Sequence, residues 1–321
     1  MYPGYITDVE GIIVGHAQSE SALTGCTAII CHEGATGGVD VRGSAPGTRE
    51  TDLFKAEKLV DKVHAVVLSG GSAFGLEAAS GVMDHLEELG VGFDVGVAKV
   101  PIVASAVIFD LAIGDHRVRP DWQMGYKAAA AASKDENRQG NIGCGMGATI
   151  GKLLGPSKAM KSGLGSATVK AGELVVSALI CVNAFGDIYL EGNQIAGVYD
   201  YEQNELVNTY ETMKSMAVSP GFSNTNTTIG VVATNGTLTK AQGNKIAQSA
   251  HNGMARAINP VHTMVDGDTL FTMATNRIEA DINVIAAMAQ EAVEKAVINA
   301  VMAAEGRAGL KAYKDIQIKV L

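Results

Sequence analysis

A threonine preceded by an asparagine lies at the start of a strand-like run in the last third of the chain. The polar segment 223–226 leads into Thr227 and Thr228, and the apolar, β-branched run 229–233 follows directly. Farther along, Asp266 and Asp268 flank a glycine in a short acidic segment, a composition typical of tight turns. We therefore expect a hydroxyl at the edge of a buried strand and two carboxylates on one downstream turn.

This combination suits a hydrolase that first cuts its own chain before the hydroxyl residue. Cleavage between Asn226 and Thr227 would free the α-amino group of Thr227. An α-amine titrates near pH ~7.7–8.0, so it can serve as the general base for the adjacent hydroxyl without a histidine partner. Each feature alone is ordinary, because acidic turns and strand threonines are common; only their combination predicts an N-terminal nucleophile.

Other chemistries have less support from the sequence. The seven histidines are scattered singly, which favours neither a metal site nor a Ser-His-Asp triad, and His262 is predicted to be a packed or surface residue. The glycine clusters at 70–75 and 145–153 lack the spacing of a dinucleotide fingerprint and of a phosphate loop. A helix N-terminus at Ser72 remains able to bind a carboxylate or an oxyanion. We expect no metal and no cofactor.

Composition indicates a globular chain with a large core. Of the 321 residues, 47% are hydrophobic and 18% are charged. The net charge of −9 and the absence of a basic run argue against nucleic acid and anionic membrane as partners. The four cysteines have no zinc-like spacing, and the N-terminus has no signal-peptide pattern. These features predict free thiols in a cytoplasmic protein.

Strand-like runs alternate with helical patterns along the chain. Strands are expected at 11–15, 26–30, 65–68, 102–108 and 228–234, with a hairpin inside 167–189 that turns near Gly172. Helices are expected at about 70–89, after Pro120, from 239 to 259 and from 282 to 305. The polar segment 199–226 is predicted to be a linker ahead of Thr227. This alternation favours a layered α/β or α+β architecture.

Five segments, taken in order, resemble the DmpA-like peptidase family. This family contains L-aminopeptidase/D-Ala-esterase/amidases, β-peptidyl aminopeptidases and nylon-oligomer hydrolases. The segments are 41–52, 68–76, 226–234, 238–242 and 266–269, and the similarity extends over nearly the whole chain. The resemblance implies the α+β class and a four-layer αββα sandwich of the N-terminal-nucleophile type. It also implies one domain, 1–321, autoprocessed into an α chain, 1–226, and a β chain, 227–321, and a homotetramer of these heterodimers.

The resemblance further implies roles for particular residues. Thr227 falls on the nucleophile position, Asn226 on the residue before the cut, and Asp266 and Asp268 on the acidic pair that orients and tunes the nucleophile. Lys152 and Asn183 match positions that the nylon-hydrolase branch uses around the nucleophile. From these positions Asn183 would donate to the oxyanion and Lys152 would place a cation near Thr227.

Substrate-binding residues are expected at Gly71, Ser72 and Phe109. Phe109 is a departure from the family pattern, because the segment 108–111 reads Ile-Phe-Asp-Leu where relatives commonly have Ile-Tyr-Asp-Leu. A phenolic hydroxyl is thereby missing, so a different substrate preference is expected. The implied activity is hydrolysis of short peptides, amino-acid amides or related small amides. The alternatives are an acyltransferase of the ornithine acetyltransferase type and a non-catalytic binding protein on the same fold.

Overall fold

The computed structural model describes residues 1–216 and 226–316. In chain order the strands are β1 Ile13–Ser19, β2 Thr24–Val41, β3 Thr48–Arg49, β4 Lys62–Ser69, β5 Phe93–Asp94, β6 Lys99–Val100, β7 Val103–Val107, β8 Thr149–Ile150, β9 Met160–Lys161, β10 Leu164–Ala171, β11 Leu174–Cys181, β12 Asp187–Leu190, β13 Asn193–Ala196, β14 Val198–Asp200, β15 Glu205–Val207, β16 Ile229–Gly236, β17 Ile258–Asn259 and β18 Thr269–Ile278. The α-helices are α1 Ala78–Glu88, α2 Trp122–Ala130, α3 Thr209–Ser215, α4 Lys240–Ala257 and α5 Ile282–Ala303.

The long strand β2 connects the two halves of the main sheet. Within the described residues this sheet has nine strands in the order β10-β11-β16-β18-β2-β4-β7-β3, and β1 pairs with β2. The first half of β2 pairs with β1 and β4, and its second half pairs with β18, while β4 continues alongside it as far as Thr36. The register with β4 shifts between Ile30 and Ala35, where the strand passes from one half to the other. An irregularity of this kind bends a strand and increases its local twist.

The alternation of side chains along each half divides the core into three apolar layers. In β16, Val231 belongs to the central layer and Val232 to the layer under α4 and α5. In β4, Val66 belongs to the same central layer and Val67 to the layer under α1 and α2. Successive residues of a strand point to opposite faces, so the two halves pack face to face and each is covered by helices on its outer side. This is the four-layer αββα sandwich that the resemblance implies.

Two strand–helix–strand units build the two halves. β4 and β7 are parallel and are joined through α1, and β16 and β18 are parallel and are joined through α4. Parallel neighbours require such a crossover, and they begin at the same edge of the sheet. The start of β16 therefore lies beside the start of β18, which is the edge where the candidate site forms.

Most of the expected helices and strands are found, and one expectation is wrong. The segment 199–226 is not a simple linker, because its residues 199–216 contain the last two residues of β14 and the whole of β15 and α3. Asp187 holds this part in place, since its carboxylate accepts hydrogen bonds from the Thr209 amide at 2.6 Å and from the Val198 amide at 3.2 Å. The remaining residues, 217–225, lie outside the described part.

No helix within residues 1–216 and 226–316 is both long enough and apolar enough to cross a membrane.

Candidate active site

Thr227 and the acidic pair meet because two parallel strands begin side by side. The register pairs Ile229 of β16 with Thr269 of β18. Three residues earlier in both segments, Asn226 forms an isolated parallel bridge with Asp266. The residues just before each strand are therefore neighbours although they are far apart in the sequence.

The peptide bond between Asn226 and Thr227 is buried and held on both sides. The Thr227 amide donates to the Asn183 carbonyl oxygen at 3.0 Å. The Asn226 carbonyl oxygen accepts from the Gly267 amide at 2.9 Å and also from the Thr227 hydroxyl. Asn226 is fully buried and Thr227 is 4% exposed. The uncut chain thus holds the hydroxyl against the carbonyl group that the predicted self-cleavage would attack.

Lys152 lies on the nitrogen side of this peptide. Its ammonium group donates to the side-chain oxygen of Asn183 at 2.7 Å and to the backbone oxygen of the same residue at 3.2 Å. Burial lowers the pKa of Lys152 from 10.5 to about 7, although the charges of Asp266 and Asp110 oppose the shift. Lys152 can therefore gain or lose a proton near neutral pH, and it shares one acceptor with the Thr227 nitrogen.

Asn183 supports both Thr227 and Lys152 with its oxygen atoms. It lies two residues beyond β11, and its side-chain nitrogen donates to the Phe109 carbonyl oxygen at 3.1 Å. Its side-chain oxygen also accepts from the Thr149 amide at 3.0 Å. In the uncut chain one amide hydrogen of Asn183 is thus used by Phe109, and the oxyanion role expected for Asn183 stays a prediction.

Asp266 is a buried carboxylate fixed by neighbouring donors. One oxygen accepts from the Thr263 amide at 3.0 Å and from the Thr263 hydroxyl at 2.5 Å, and the other accepts from the Phe185 amide at 3.3 Å. Burial and the nearby charge of Asp268 raise the pKa of Asp266 to about 6, against these hydrogen bonds. A carboxylate close to a buried acid makes the ionisation of that acid less favourable.

Asp268 connects the nucleophile segment to a histidine. One of its oxygens accepts from the Thr228 amide at 2.7 Å. The other lies 2.8 Å from Nδ1 of His262 and accepts from the His262 amide at 3.2 Å. The ring of His251 packs edge-on against His262 at 4.8 Å, and burial lowers the pKa of His251 to about 4. His262 is therefore part of the site, which the sequence reasoning missed; its position six residues before Asp268 was the available signal.

The loop after β2 fixes the acidic turn through backbone contacts. The Ala45 amide donates to the Asp266 carbonyl oxygen at 2.9 Å, and the Arg42 amide donates to the Asp268 carbonyl oxygen at 2.9 Å. The Gly43 amide donates to the same oxygen at 3.2 Å, and a Cβ at Gly43 would lie 2.2 Å from the Asp268 nitrogen. Only glycine permits this approach, which gives the segment 41–52 a structural role at the site.

A cavity of about 490 Å³ adjoins Lys152. Its lining includes Phe109, Ile113, Thr149, Lys152 and Leu310. A cavity of this volume, largely apolar with a few polar groups, suits a small organic ligand. Phe109 lines this cavity, and its role in substrate binding stays a prediction.

Gly71 and Ser72 are not brought to the wall of this cavity. The Gly71 amide donates to the buried carboxylate of Asp110 at 2.7 Å, and the Ser72 amide donates to the Ile108 carbonyl oxygen at 3.0 Å. Burial raises the pKa of Asp110, which also lines the cavity and accepts from the Thr24 hydroxyl at 2.7 Å. Substrate binding by Gly71 and Ser72 stays a prediction, and Gly71 is connected to the cavity through its hydrogen bond to Asp110.

Comparison with solved structures defines the class of fold. The chain matches the L-aminopeptidase D-Ala-esterase/amidase of Ochrobactrum anthropi, described as a variant of the N-terminal-nucleophile hydrolase fold, with a TM-score of 0.68. The match covers 96% of this chain and 89% of the other, at 19% sequence identity. At this identity the likeness shows the fold alone, and the protein has the N-terminal-nucleophile hydrolase fold of the DmpA type.

Sequence similarity then gives the family. The profile of Peptidase family S58 matches residues 4–314, and the chain belongs to this family. It is 38% identical over 348 residues to an uncharacterised aminopeptidase of Mycobacterium leprae, covering 96% of this chain and 92% of the relative. It is 34% identical over 276 residues to a 6-aminohexanoate-oligomer endohydrolase of Paenarthrobacter ureafaciens, covering 85% and 75%. The protein is therefore a hydrolase of the peptidase or amidase type.

Proposed function

We propose that the protein is a self-processing aminopeptidase or amidase whose nucleophile is the hydroxyl of Thr227. The chain is cut between Asn226 and Thr227 into residues 1–226 and 227–321. The observation that supports this most directly is the contact of the Thr227 hydroxyl with the Asn226 carbonyl oxygen. The cleavage requires the hydroxyl oxygen to reach the Asn226 carbonyl carbon, and a buried hydroxyl bonded to the oxygen of that carbonyl group lies beside it.

The mature reaction uses the same hydroxyl on an external amide. The freed amine of Thr227 takes the hydroxyl proton, the oxygen attacks the substrate carbonyl carbon, and the amine returns the proton to the departing nitrogen. Water then hydrolyses the resulting ester and releases the acyl group. Asp266 and Asp268 hold the nucleophile segment, and the ammonium group of Lys152 adds a proton-exchanging cation beside it.

Short peptides, amino-acid amides and related small amides are the proposed substrates. The cavity beside Lys152 and Phe109 has room for a small ligand, and the names of two relatives refer to aminopeptidase and oligomer endohydrolase activities. A panel of aminoacyl amides, β-peptides and N-blocked analogues, assayed with and without an added amine acceptor, tests this proposal. Release of free acid in both conditions supports a hydrolase, whereas transfer only to the amine identifies an acyltransferase.

Intact-mass analysis tests the nucleophile. Wild-type protein is expected to appear as two chains, the smaller having 95 residues and beginning at Thr227. Thr227→Ala is expected to remain at full mass and to hydrolyse no amide, because one hydroxyl performs both reactions. Thr227→Ser is expected to retain some processing, since it keeps a hydroxyl.

Thr228→Ala is the matched control for this experiment. Thr228 is buried next to Thr227, and its hydroxyl has no hydrogen-bond partner among the described residues, while its amide donates to Asp268. Removing the Thr228 hydroxyl should leave processing and turnover close to wild type. If Thr228→Ala loses both self-cleavage and amide hydrolysis while Thr227→Ala keeps them, the nucleophile is Thr228 and not Thr227.

A further inference from the structure

The Gly267 amide points at the carbonyl oxygen of the peptide bond that the proposed self-cleavage breaks. It donates to the Asn226 oxygen at 2.9 Å. We propose that this amide is the oxyanion donor of the self-cleavage step. This inference rests on the proposed function and adds a catalytic group supplied by the backbone between Asp266 and Asp268.

The chemistry of the step requires a donor at this oxygen. The Thr227 oxygen forms a bond to the Asn226 carbonyl carbon, and the carbonyl π electrons move onto the Asn226 oxygen as a negative charge. The intermediate then collapses, the bond from carbon to the Thr227 nitrogen breaks, and the hydroxyl proton goes to that nitrogen. The product is an ester between Asn226 and the Thr227 oxygen, which water hydrolyses to a carboxylic acid and the free hydroxyl. A hydrogen-bond donor aimed at the oxyanion lowers this barrier.

Of the two donors to the Asn226 oxygen described above, only the Gly267 amide remains during attack. The Thr227 hydroxyl gives up its proton when its oxygen becomes the nucleophile, so its hydrogen bond to the Asn226 oxygen is lost. The Gly267 amide does not take part in the bond changes and keeps its hydrogen throughout. As charge develops on the oxygen, this hydrogen bond becomes charge-assisted and therefore stronger.

Asn183 lies on the opposite side of the scissile peptide. In a trans peptide the N–H and C=O bonds point in opposite directions. The Asn183 backbone oxygen accepts from the Thr227 amide, so it lies on the nitrogen side, where an acceptor cannot stabilise an oxyanion. The side-chain nitrogen of Asn183 donates to Phe109. Self-cleavage and hydrolysis of external substrates therefore do not need to share the same oxyanion donor.

The Gly267 amide is rigidly placed. The turn that contains it is fixed by the backbone contacts of Ala45 and Arg42 to Asp266 and Asp268, and the Thr269 hydroxyl donates to the Gly267 carbonyl oxygen at 3.0 Å. A donor that is already oriented needs no reorganisation when charge appears, which is the source of its catalytic effect.

The close fit also accounts for glycine at position 267. A Cβ there would lie 2.8 Å from the Thr227 hydroxyl oxygen and 2.6 Å from the Ala45 carbonyl oxygen. Both distances are shorter than ordinary contacts, so any side chain would push the turn away from the nucleophile. The amide reaches the Asn226 oxygen because position 267 has no side chain.

Replacing the Gly267 amide by an ester tests the proposal. Cell-free translation with a suppressor transfer RNA charged with glycolic acid removes the N–H group and changes no side chain. The same transfer RNA charged with glycine regenerates the wild type, and glycolic acid at Gly90 is the matched control. The Gly90 amide donates to the Glu87 carbonyl oxygen at 2.8 Å, at the end of α1. The readout is conversion of the full-length chain into residues 1–226 and 227–321 over time by mass spectrometry.

The ester at position 267 is expected to slow self-cleavage by ~10²–10³, the usual effect of losing one oxyanion donor, while the ester at position 90 cleaves at the wild-type rate. Equal rates for the two esters would overturn the inference and leave the proposed function standing. A wild-type chain that never splits would overturn both, so the two failures are distinguishable.

A second measurement applies if the ester chain does not fold. In a Thr227→Ala chain labelled with ¹³C at the asparagine carbonyls and ¹⁵N at the glycine amides, a coupling through the hydrogen bond between Gly267 and Asn226 is expected in the NMR spectrum. Absence of this coupling in the folded chain would overturn the inference.

Discussion

Asp266→Asn separates the contribution of this carboxylate to stability from its contribution to chemistry. The Asp266 side chain is 1% exposed, and burial, followed by the charge of Asp268, raises its pKa from 3.8 to about 6. A carboxyl with a raised pKa binds its proton more tightly in the folded chain than in the unfolded chain. The associated stability is fully present below pH ~4 and is lost as the pH rises through about 6. A shift of about 2 pKa units corresponds to about 3 kcal/mol.

The assay compares two uncleaved chains, Thr227→Ala and Thr227→Ala with Asp266→Asn, by urea-induced unfolding between pH 4 and pH ~7.5. Relative to its parent, the Asn variant is expected to gain about 3 kcal/mol across this range, because only the parent loses stability by ionising a buried acid. The Asn variant also loses part of the hydrogen bonding to Thr263 and Phe185. That cost does not depend on pH. It lowers the free energy of unfolding of the Asn variant by the same amount at every pH, and the way the difference from the parent changes with pH stays the same.

A carboxyl with the opposite shift provides the control. The hydrogen bonds from Arg117 lower the pKa of Asp115 to about 2, and Asp115 is exposed to solvent. Asp115→Asn should therefore lose a small amount of stability relative to its parent as the pH rises from about 2 to about 4, because the pair is screened by water, and should keep a constant difference from its parent across the range in which Asp266 ionises. If the free energies of unfolding of the two uncleaved chains, with Asp266 and with Asn at that position, differ by the same amount at every pH, the reasoning is refuted. In the otherwise wild-type chain, Asp266→Asn should also slow self-cleavage and turnover by orders of magnitude.

Three further outcomes are expected. His262→Gln should lower kcat and slow self-cleavage roughly tenfold while changing KM little, because His262 orients Asp268 and not the substrate; an unchanged kcat would make the His262 contact purely structural. Phe109→Tyr should change kcat/KM for some substrates in the amide panel by more than threefold with little change in melting temperature, because it adds a hydroxyl at the cavity wall. Activity of the wild type should rise with pH through roughly 7–8 and should be unaffected by EDTA, and inhibition by EDTA would contradict the metal-free mechanism.

Elements with strong local signals could be predicted from the sequence. The capping box of Thr239 and Gln242 is present at the start of α4, and the hairpin of β10 and β11 turns at Gly172 as expected. α5 ends at Ala303, close to the expected end at residue 305. Caps, turns and amphipathic faces are decided by residues within one or two helical turns, so a single sequence contains the information.

Elements stabilised by distant contacts could not be predicted in the same way. β2 continues to Val41 through polar and glycine-rich residues, because β4 and β18 pair with it beyond the expected end at residue 30. The polar segment after Tyr199 is ordered through residue 216 because the buried Asp187 accepts hydrogen bonds from Thr209 and Val198. Tertiary pairing of this kind overrides local composition.

The candidate site also combines features that the local sequence indicates with features that only the fold supplies. The sequence singled out Thr227, Asp266 and Asp268 from their residue types, but no spacing along the chain could place them together. Their proximity follows from the parallel register of β16 and β18, which only the fold supplies. The contact of His262 with Asp268 also depends on the path of the loop before β18, so a histidine without a sequence motif was missed.

The shared acceptor on Asn183 places a second ionisable nitrogen beside the proposed base. In the uncut chain the Thr227 nitrogen lies 3.0 Å from the Asn183 backbone oxygen, and the Lys152 ammonium nitrogen lies 3.2 Å from the same atom. Under the proposed mechanism, cleavage turns the amide nitrogen into an amine at this position. Two positive charges on one oxygen repel each other, so one of the two nitrogens loses its proton more readily than it would alone. Because burial lowers the pKa of Lys152 to about 7, below that of an ordinary α-amine, Lys152 is the nitrogen that loses its proton first. Lys152→Met should therefore move the rise in kcat/KM by no more than about a few tenths of a pH unit, and a shift of about one unit to higher pH would show that Lys152 stays charged beside the amine.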